Sequence, residues 1–153
     1  MIKANDVANY FIFKSSPGTV KSITNLKLQK LLYYAQGKYL ARNNKPLFND
    51  PIEAWKHGPV VAEVYRRFSS YIFNEIDKKN VNESDLNIVK RSRLDCFLDE
   101  VWTKYGEYNG KQLEIMTHQE KPWIETRGEL PAYVSSTKKI NEDVIKEYFK
   151  KTK

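Results

Sequence analysis

The sequence predicts a mainly α fold, a compact single-domain bundle of about six helices with at most a small β-hairpin or extended pair. Three observations predict it. Apolar residues recur at helical spacing in several windows, and residues that favour helix N-termini precede several of them. The length of 153 residues fits one domain, and no linker-like block or internal repeat divides residues 1–153.

The first two helices are predicted from their apolar spacing. Residues 4–12 form the first helix, and residues 15–19 form a turn after it. A longer second helix begins near Thr24 or Asn25, either of which can act as its N-cap. Its apolar stripe consists of Leu28, Leu31, Leu32, Ala35 and Tyr39. A basic polar face is formed by the lysines that lie off this stripe, namely Lys27, Lys30 and Lys38.

Residues 43–61 are too rich in Pro, Gly, Asn and Asp to form one regular element. Residues 52–55 are predicted to be a short extended segment, because Pro51 restricts the chain and β-type residues follow it. Gly58 and Pro59 then predict a third helix with Pro59 in its first turn. We expect its buried side to consist of Val61, Val64, Tyr65, Phe68 and Ile72.

The second half of the chain is predicted to contain three more helices. The polar residues 74–85 form a loop before them. Apolar spacing then predicts a long helix over residues 94–105, another over residues 110–117 and a single turn over residues 123–126. Asn141 is predicted to cap the last helix, whose acidic first turn and basic last turn suit the helix dipole.

The formal net charge of +7 is concentrated in the N-terminal third. Residues 1–50 contain eight Lys or Arg and two acids, and no acid lies between Lys14 and Lys45. This basic segment fits three interpretations: a surface that steers an acidic partner, a nucleic-acid contact, or a solvated helix face. If it steers a partner, charge reversal at Lys27 and Lys30 should slow association.

The sequence contains few groups suited to catalysis. Neither of the two histidines, His57 and His118, belongs to a metal-ligand motif, and the one cysteine is Cys96. Because Cys96 stands beside an inward position of a predicted helix, we expect it to be buried and structural. A Cys-dependent hydrolase would need an accessible Cys96 close to a histidine. We therefore expect no enzyme activity, no cofactor and no metal.

Cellular location is predicted from what the sequence lacks. No stretch approaches 18 consecutive apolar residues, and the first residues do not have the basic-then-apolar layout of a signal peptide. A single cysteine excludes an intramolecular disulfide framework. We expect a cytoplasmic protein without membrane contact.

Aromatic residues are abundant, with ten Tyr, seven Phe and three Trp. On the second helix Tyr33 and Tyr34 point about 100° apart. Tyr33 lies farther from the apolar stripe, so it is either an exposed anchor for a partner or a cover for the edge of the core. Trp55, before the Lys-His-Gly-Pro sequence at residues 56–59, either packs under a helix start or belongs to a surface whose N–H groups bind a partner carboxylate.

Three motifs occur in a defined order along the chain. They are ITNLKLQKLLYYAQGKYLA at residues 23–41, PLFNDPIEAWKHGPVVAEVYRRF at residues 46–68 and MTHQEKPW at residues 116–123. In this combination they resemble the Panacea domain, the SocA-like or GepA-like antitoxin family of bacteria and their phages. The resemblance covers essentially the whole chain and implies a mainly helical antitoxin domain. It carries over no catalytic residue.

The resemblance also implies a partner. It implies a protein toxin encoded by an adjacent gene and neutralised by direct contact, with a protease as a second partner if the antitoxin is a proteolytic adaptor. A nucleic-acid-binding regulator is the alternative function. The candidate partner-binding residues are Lys27, Lys30, Tyr33, Trp55, Lys56, His57, Gly58, Pro59, His118 and Trp123.

Overall fold

The computed structural model describes residues 1–152. Over this range the chain forms eight α-helices and one two-stranded antiparallel sheet, so the predicted mainly α fold is confirmed. The elements are α1 (Ala4–Lys14), α2 (Asn25–Asn43), β1 (Glu53–Trp55), β2 (Gly58–Val60), α3 (Ala62–Arg67), α4 (Asn87–Arg91), α5 (Asp95–Tyr105), α6 (Gly110–Thr117), α7 (Lys121–Arg127) and α8 (Glu142–Lys151). None of the described helices is both long enough and apolar enough to cross a membrane.

Two helices have the predicted N-cap residues, and in each the side chain of that residue makes the capping hydrogen bond. The side chain of Thr24 accepts a hydrogen bond from the backbone N–H of Lys27 at 3.3 Å, which makes Thr24 the N-cap of α2. Asn141 caps α8 by accepting from the N–H of Asp143 at 2.7 Å. The structure exceeds the six predicted helices because α4 was missed and α7 extends the predicted single turn to seven residues.

Helix α2 lies at the centre of the fold, where it packs against α1, α5, α6, α8 and β2. Because these neighbours surround it, polar side chains are buried along it together with the apolar stripe. The prediction of a solvent-facing basic side is therefore wrong for Lys27 and Lys30, which are 1% and 0% exposed. The interpretation of Tyr33 as an exposed anchor is wrong for the same reason, since its side chain is fully buried.

A β-hairpin stands where the third helix was predicted to begin. Trp55 at the end of β1 pairs with Gly58 at the start of β2. The prediction that Gly58 and Pro59 begin a helix is therefore wrong, and α3 begins only at Ala62. The physical reason is the φ of 106° at Gly58, which glycine adopts without strain and which reverses the chain into β2.

The packing around Gly58 also leaves no room for a side chain. A Cβ at this position would lie 2.5 Å from Cε of Lys30 and 2.8 Å from Oγ1 of Thr117. We predict that Gly58→Ala lowers the free energy of unfolding by about 2–4 kcal/mol, because backbone strain and overpacking add. Gly18→Ala is the matched control: its φ is 82° and nothing lies within 4 Å of its Cβ position, so only strain of about 1–2 kcal/mol applies. Urea denaturation measures both variants, and equal losses would contradict the steric part of the prediction.

Helix α3 ends earlier than predicted, at Arg67. A 3₁₀ turn at Ser69–Tyr71 follows it, and Ile72 then adopts a φ of 56° and a ψ of −109°. This turn leaves Ile72 67% exposed and Phe73 90% exposed. The prediction that Ile72 belongs to the buried side of the third helix is therefore wrong. Since positive φ is rare for a β-branched residue, the turn is strained.

The segment that follows α7 is attached to the hairpin. The backbone N–H of Ala54 donates to the carbonyl oxygen of Lys138 at 2.8 Å. The guanidinium of Arg127, which is 4% exposed, donates to the carbonyl oxygen of Ala54 at 3.1 Å. These bonds hold residues 135–137 close to β1.

A candidate partner-binding groove

A groove of about 640 Å³ opens at the surface where the N-terminal part of α2, the β-hairpin, the end of α3 and α6 meet. Residues 135–137 line another part of it with hydroxyl side chains. We refer to this feature as the hairpin groove. It includes residues from the sequence motifs on the hairpin and on α2.

One part of the hairpin groove is apolar. Its side chains are Trp55, Val60, Tyr65, Ile72 and Phe73. The rings of Trp55 and Tyr65 pack with their centroids 4.9 Å apart, and the indole N–H of Trp55 donates to Glu53 at 2.8 Å. Ile72 and Phe73 extend this surface into solvent. Exposed apolar side chains beside a concave surface are typical of protein-binding sites.

Another part of the hairpin groove carries charge. Lys56 and His57 lie at the hairpin turn and Lys111 lies on α6, with 63% of the His57 side chain and 70% of the Lys111 side chain exposed. Glu114 has its Oε2 2.9 Å from Nδ1 of His57 and its Oε1 3.6 Å from Nζ of Lys111. Burial acts to raise the pKa of Glu114, but the hydrogen bond and charge of His57 and the charge of Lys111 lower it below its ordinary value. The carboxylate of Glu114 is therefore ionised and already paired.

Lys30 lies beneath the charged part of the groove. Its side chain is completely buried, and Nζ donates to the carbonyl oxygen of Pro59 at 3.0 Å. Burial lowers the pKa of Lys30 to about 7, and the negative charge of Glu114 partly opposes this effect. Negative charge brought into the groove would therefore favour the protonated form of Lys30.

His118 and Trp123 support the hairpin from the protein side. Their rings stack with centroids 4.0 Å apart, and the indole N–H of Trp123 donates to the carbonyl oxygen of Trp55 at 2.8 Å. Burial lowers the pKa of His118, so its ring is neutral near pH 7. Neither residue lines the hairpin groove. In this structure they position Trp55.

A buried cluster joins α2 to the start of α7. The carboxylate of Glu120 accepts hydrogen bonds from the hydroxyls of Tyr33 at 2.9 Å and Tyr34 at 2.8 Å. Burial raises the pKa of Glu120, and the two hydroxyl donors partly oppose the shift. Tyr34 also stacks on Tyr105 with centroids 4.3 Å apart. The cluster therefore joins α2, which lines the groove, to α5 and to the start of α7.

The structure brings only some of the predicted contact residues to the hairpin groove. Those that line it are Lys30, Trp55, Lys56 and His57. Gly58 and Pro59 are buried in β2. Lys27 lies elsewhere, because its Nζ donates to the carbonyl oxygen of Gly106 at 2.6 Å and lies 5.4 Å from the centroid of the Trp102 ring.

Several residues of the hairpin groove, including Phe73, Lys111 and Glu114, are not among the predicted contact residues. Apolar spacing assigned Ile72 to a buried helix face, and no motif marked the residues on α6. One signal was available. The three consecutive apolar residues at 71–73 cannot all face inward on a helix, since neighbours point about 100° apart.

Cys96 is exposed on α5, so the prediction of a buried cysteine is wrong. The reason is that the buried face of α5 consists of Leu98, Val101, Trp102 and Tyr105, and Cys96 lies outside it. Cys96 does not line the hairpin groove. Among residues 1–152, no group of three or more His, Cys, Asp or Glu side chains is arranged to hold a metal ion.

Comparison with known proteins defines the class of this chain. The family model described as "Antitoxin SocA-like, Panacea domain" matches residues 28–124, which include most of α2, the hairpin and α6. The chain therefore belongs to the SocA-like, Panacea-domain antitoxin family, which confirms the resemblance seen in the motifs.

A particular relative is similar over most of the chain. Antitoxin SocA of Caulobacter vibrioides (strain NA1000 / CB15N) is 37% identical over 131 residues, an alignment that covers 80% of this chain and 69% of that protein. No solved structure matches the chain.

Proposed function

We propose that this protein neutralises a protein toxin, encoded by an adjacent gene, by direct contact at the hairpin groove. It acts as a binding protein rather than as an enzyme. Membership in an antitoxin family supports this proposal, as does a relative named an antitoxin. The groove supports it because it combines an accessible apolar surface with exposed cations in one concave site.

The observation that carries this proposal is the exposed pair Ile72 and Phe73. They are 67% and 90% exposed, and Ile72 has a φ of 56°. A residue held in such a conformation costs on the order of 1–3 kcal/mol, and two large apolar side chains in water lose the free energy that burial would provide. A partner that covers this turn buries both apolar side chains and so regains the free energy of their burial. Binding of a partner therefore explains why the chain keeps a strained turn with exposed apolar side chains.

We predict that Phe73→Ser weakens binding of the toxin by at least about tenfold, because a solvent-exposed ring is lost from the contact surface. The experiment co-expresses the product of the neighbouring gene with the wild-type protein, with Phe73→Ser and with Val20→Ser. Val20 is the matched control, since it is 69% exposed and lies outside the hairpin groove. The wild type and Val20→Ser should restore growth, and Phe73→Ser should not. Titration of the purified proteins then measures the affinities.

Two outcomes contradict different parts of this proposal. If the neighbouring product is harmless alone and forms no complex with the wild-type protein, the antitoxin function is wrong. If Phe73→Ser protects as well as the wild type, the toxin contacts another surface. The lifetime of the toxin separates two modes of neutralisation: sequestration leaves the toxin intact in the complex, whereas delivery to a protease shortens its lifetime.

A nucleic-acid-binding regulator makes a different prediction. Its affinity for DNA or RNA would fall steeply with salt, because phosphate contacts release counterions. A fluorescence-anisotropy titration at about 50 mM salt tests it, and no binding under that condition excludes this alternative.

A further inference from the structure

We infer that the hairpin groove accepts a partner segment in which an Asp or Glu side chain stands beside a large apolar residue. This inference rests on the proposed function and names the chemistry of the toxin segment that binds there. The apolar residue contacts the surface around Phe73, and the carboxylate lies against the cations of the hairpin turn and α6. One set of lining side chains indicates the apolar residue of the partner segment, and a different set indicates the carboxylate.

The apolar half follows from exposure and shape. Phe73 is 90% exposed beside the paired rings of Trp55 and Tyr65. These side chains border a cavity of about 640 Å³, which is large enough to receive a side chain of the partner rather than only a flat surface. An aliphatic or aromatic anchor is the residue type that gains most from such a site.

The acidic half follows from the balance of charge. Lys56 and Lys111 line the groove with exposed side chains, and the ring of His57 at the hairpin turn lies against Glu114 of α6. Glu114 is the single acid among the lining residues that the structure describes, and it is already paired with His57 and Lys111. The site therefore presents an excess of positive charge to any occupant. Charge complementarity favours a partner that brings a carboxylate.

Lys30 lies below this site, where a carboxylate brought into the groove would favour its protonated form. Its Nζ is fully buried and has one hydrogen-bond acceptor, the carbonyl oxygen of Pro59. Within residues 1–152, no carboxylate oxygen lies within 4.0 Å of Nζ. Lys27 is different, because its Nζ has two carbonyl acceptors and lies away from the groove. The amine under the groove therefore lacks a direct ionic partner among these residues.

Labelled synthetic peptides test this inference with the full-length protein. Two pools of acetylated, amidated 12-residue peptides carry the same Leu, Phe and Trp positions, with Asp or Glu at the polar positions of one pool and Asn or Gln in the other. Fluorescence anisotropy at about 50 mM salt measures binding. The acidic pool should bind at least about tenfold more tightly. Phe73→Ser should weaken both pools, because the apolar anchor is common to them.

A matched pair of double variants locates the carboxylate. Lys56→Gln with Lys111→Gln should remove the preference for the acidic pool. Lys79→Gln with Lys90→Gln should retain it, since both residues are exposed and lie outside the hairpin groove. Both double variants remove two positive charges. If only the variant at Lys56 and Lys111 loses the preference for the acidic pool, the peptide carboxylate binds in the groove.

Three outcomes would overturn the inference. They are equal binding of the two pools, an acidic preference that survives loss of Lys56 and Lys111, and tighter binding of a single-stranded oligonucleotide than of the acidic pool. The peptides require no toxin, so this test is separate from the proposed function. Acid-selective binding in the groove without neutralisation of the neighbouring product would leave this inference standing and reject the antitoxin proposal.

Discussion

Replacing Glu120 with alanine should lower the free energy of unfolding by about 2–6 kcal/mol. The carboxylate is the acceptor for the hydroxyls of Tyr33 and Tyr34, at 2.9 Å and 2.8 Å. Both tyrosines are buried, and each buried hydroxyl left without an acceptor costs about 1–3 kcal/mol. Urea denaturation monitored by circular dichroism measures the loss.

Two further variants separate hydrogen bonding from other effects at this position. Glu125→Ala removes an exposed acid from the same helix, where it pairs with Lys121 at 3.5 Å, and should cost less than about 0.5 kcal/mol. Glu120→Gln should cost less than Glu120→Ala, because the amide oxygen still accepts from one hydroxyl. A loss under about 1 kcal/mol for Glu120→Ala would mean that the tyrosine hydroxyls find other acceptors.

Local sequence signals were sufficient where an element is determined within a few residues. The caps at Thr24 and Asn141 were predicted because a side-chain oxygen and the N–H that it accepts from lie two or three residues apart. The helix over Asp95–Tyr105 was predicted from one continuous apolar stripe. None of these features depends on a contact with a distant part of the chain.

Burial along α2 could not be predicted from local spacing. Lys27 binds a carbonyl oxygen 79 residues away, and Tyr33 donates to an acid 87 residues away. The apolar period of a helix identifies the face that is most apolar, but it does not reveal whether neighbours also cover the polar face. Because apolar spacing does not show whether the polar face is covered, the lysines of α2 were predicted to face solvent.

The candidate site was predictable in part. The Pro and Gly residues around the hairpin mark a constrained loop, so Trp55, Lys56 and His57 were found. The turn at Ile72 was not found, because a positive φ without glycine leaves no local signature. The groove arises only when this turn, the hairpin and α6 are brought together by tertiary packing.

Stability should rise between pH 7 and pH 8 in the wild-type protein, and Lys30→Met should remove most of that rise. Burial lowers the pKa of Lys30 from 10.5 to about 7, so the folded protein releases this proton above pH 7 while the unfolded chain keeps it. Where the unfolded state binds more protons, the free energy of unfolding increases with pH. One such group contributes up to about 1.4 kcal/mol for each pH unit.

Lys27 provides the control for this pH dependence, because it is also buried on α2 but burial lowers its pKa only to about 8. Lys27→Met should therefore retain most of the rise between pH 7 and pH 8 and lose part of the rise above pH 8. Urea denaturation at pH 7, 8 and 9 compares the three proteins. An unchanged slope between pH 7 and pH 8 in Lys30→Met would show that the proton is released elsewhere. The amine beneath the hairpin groove would then be charged at neutral pH, despite having one carbonyl oxygen as its acceptor.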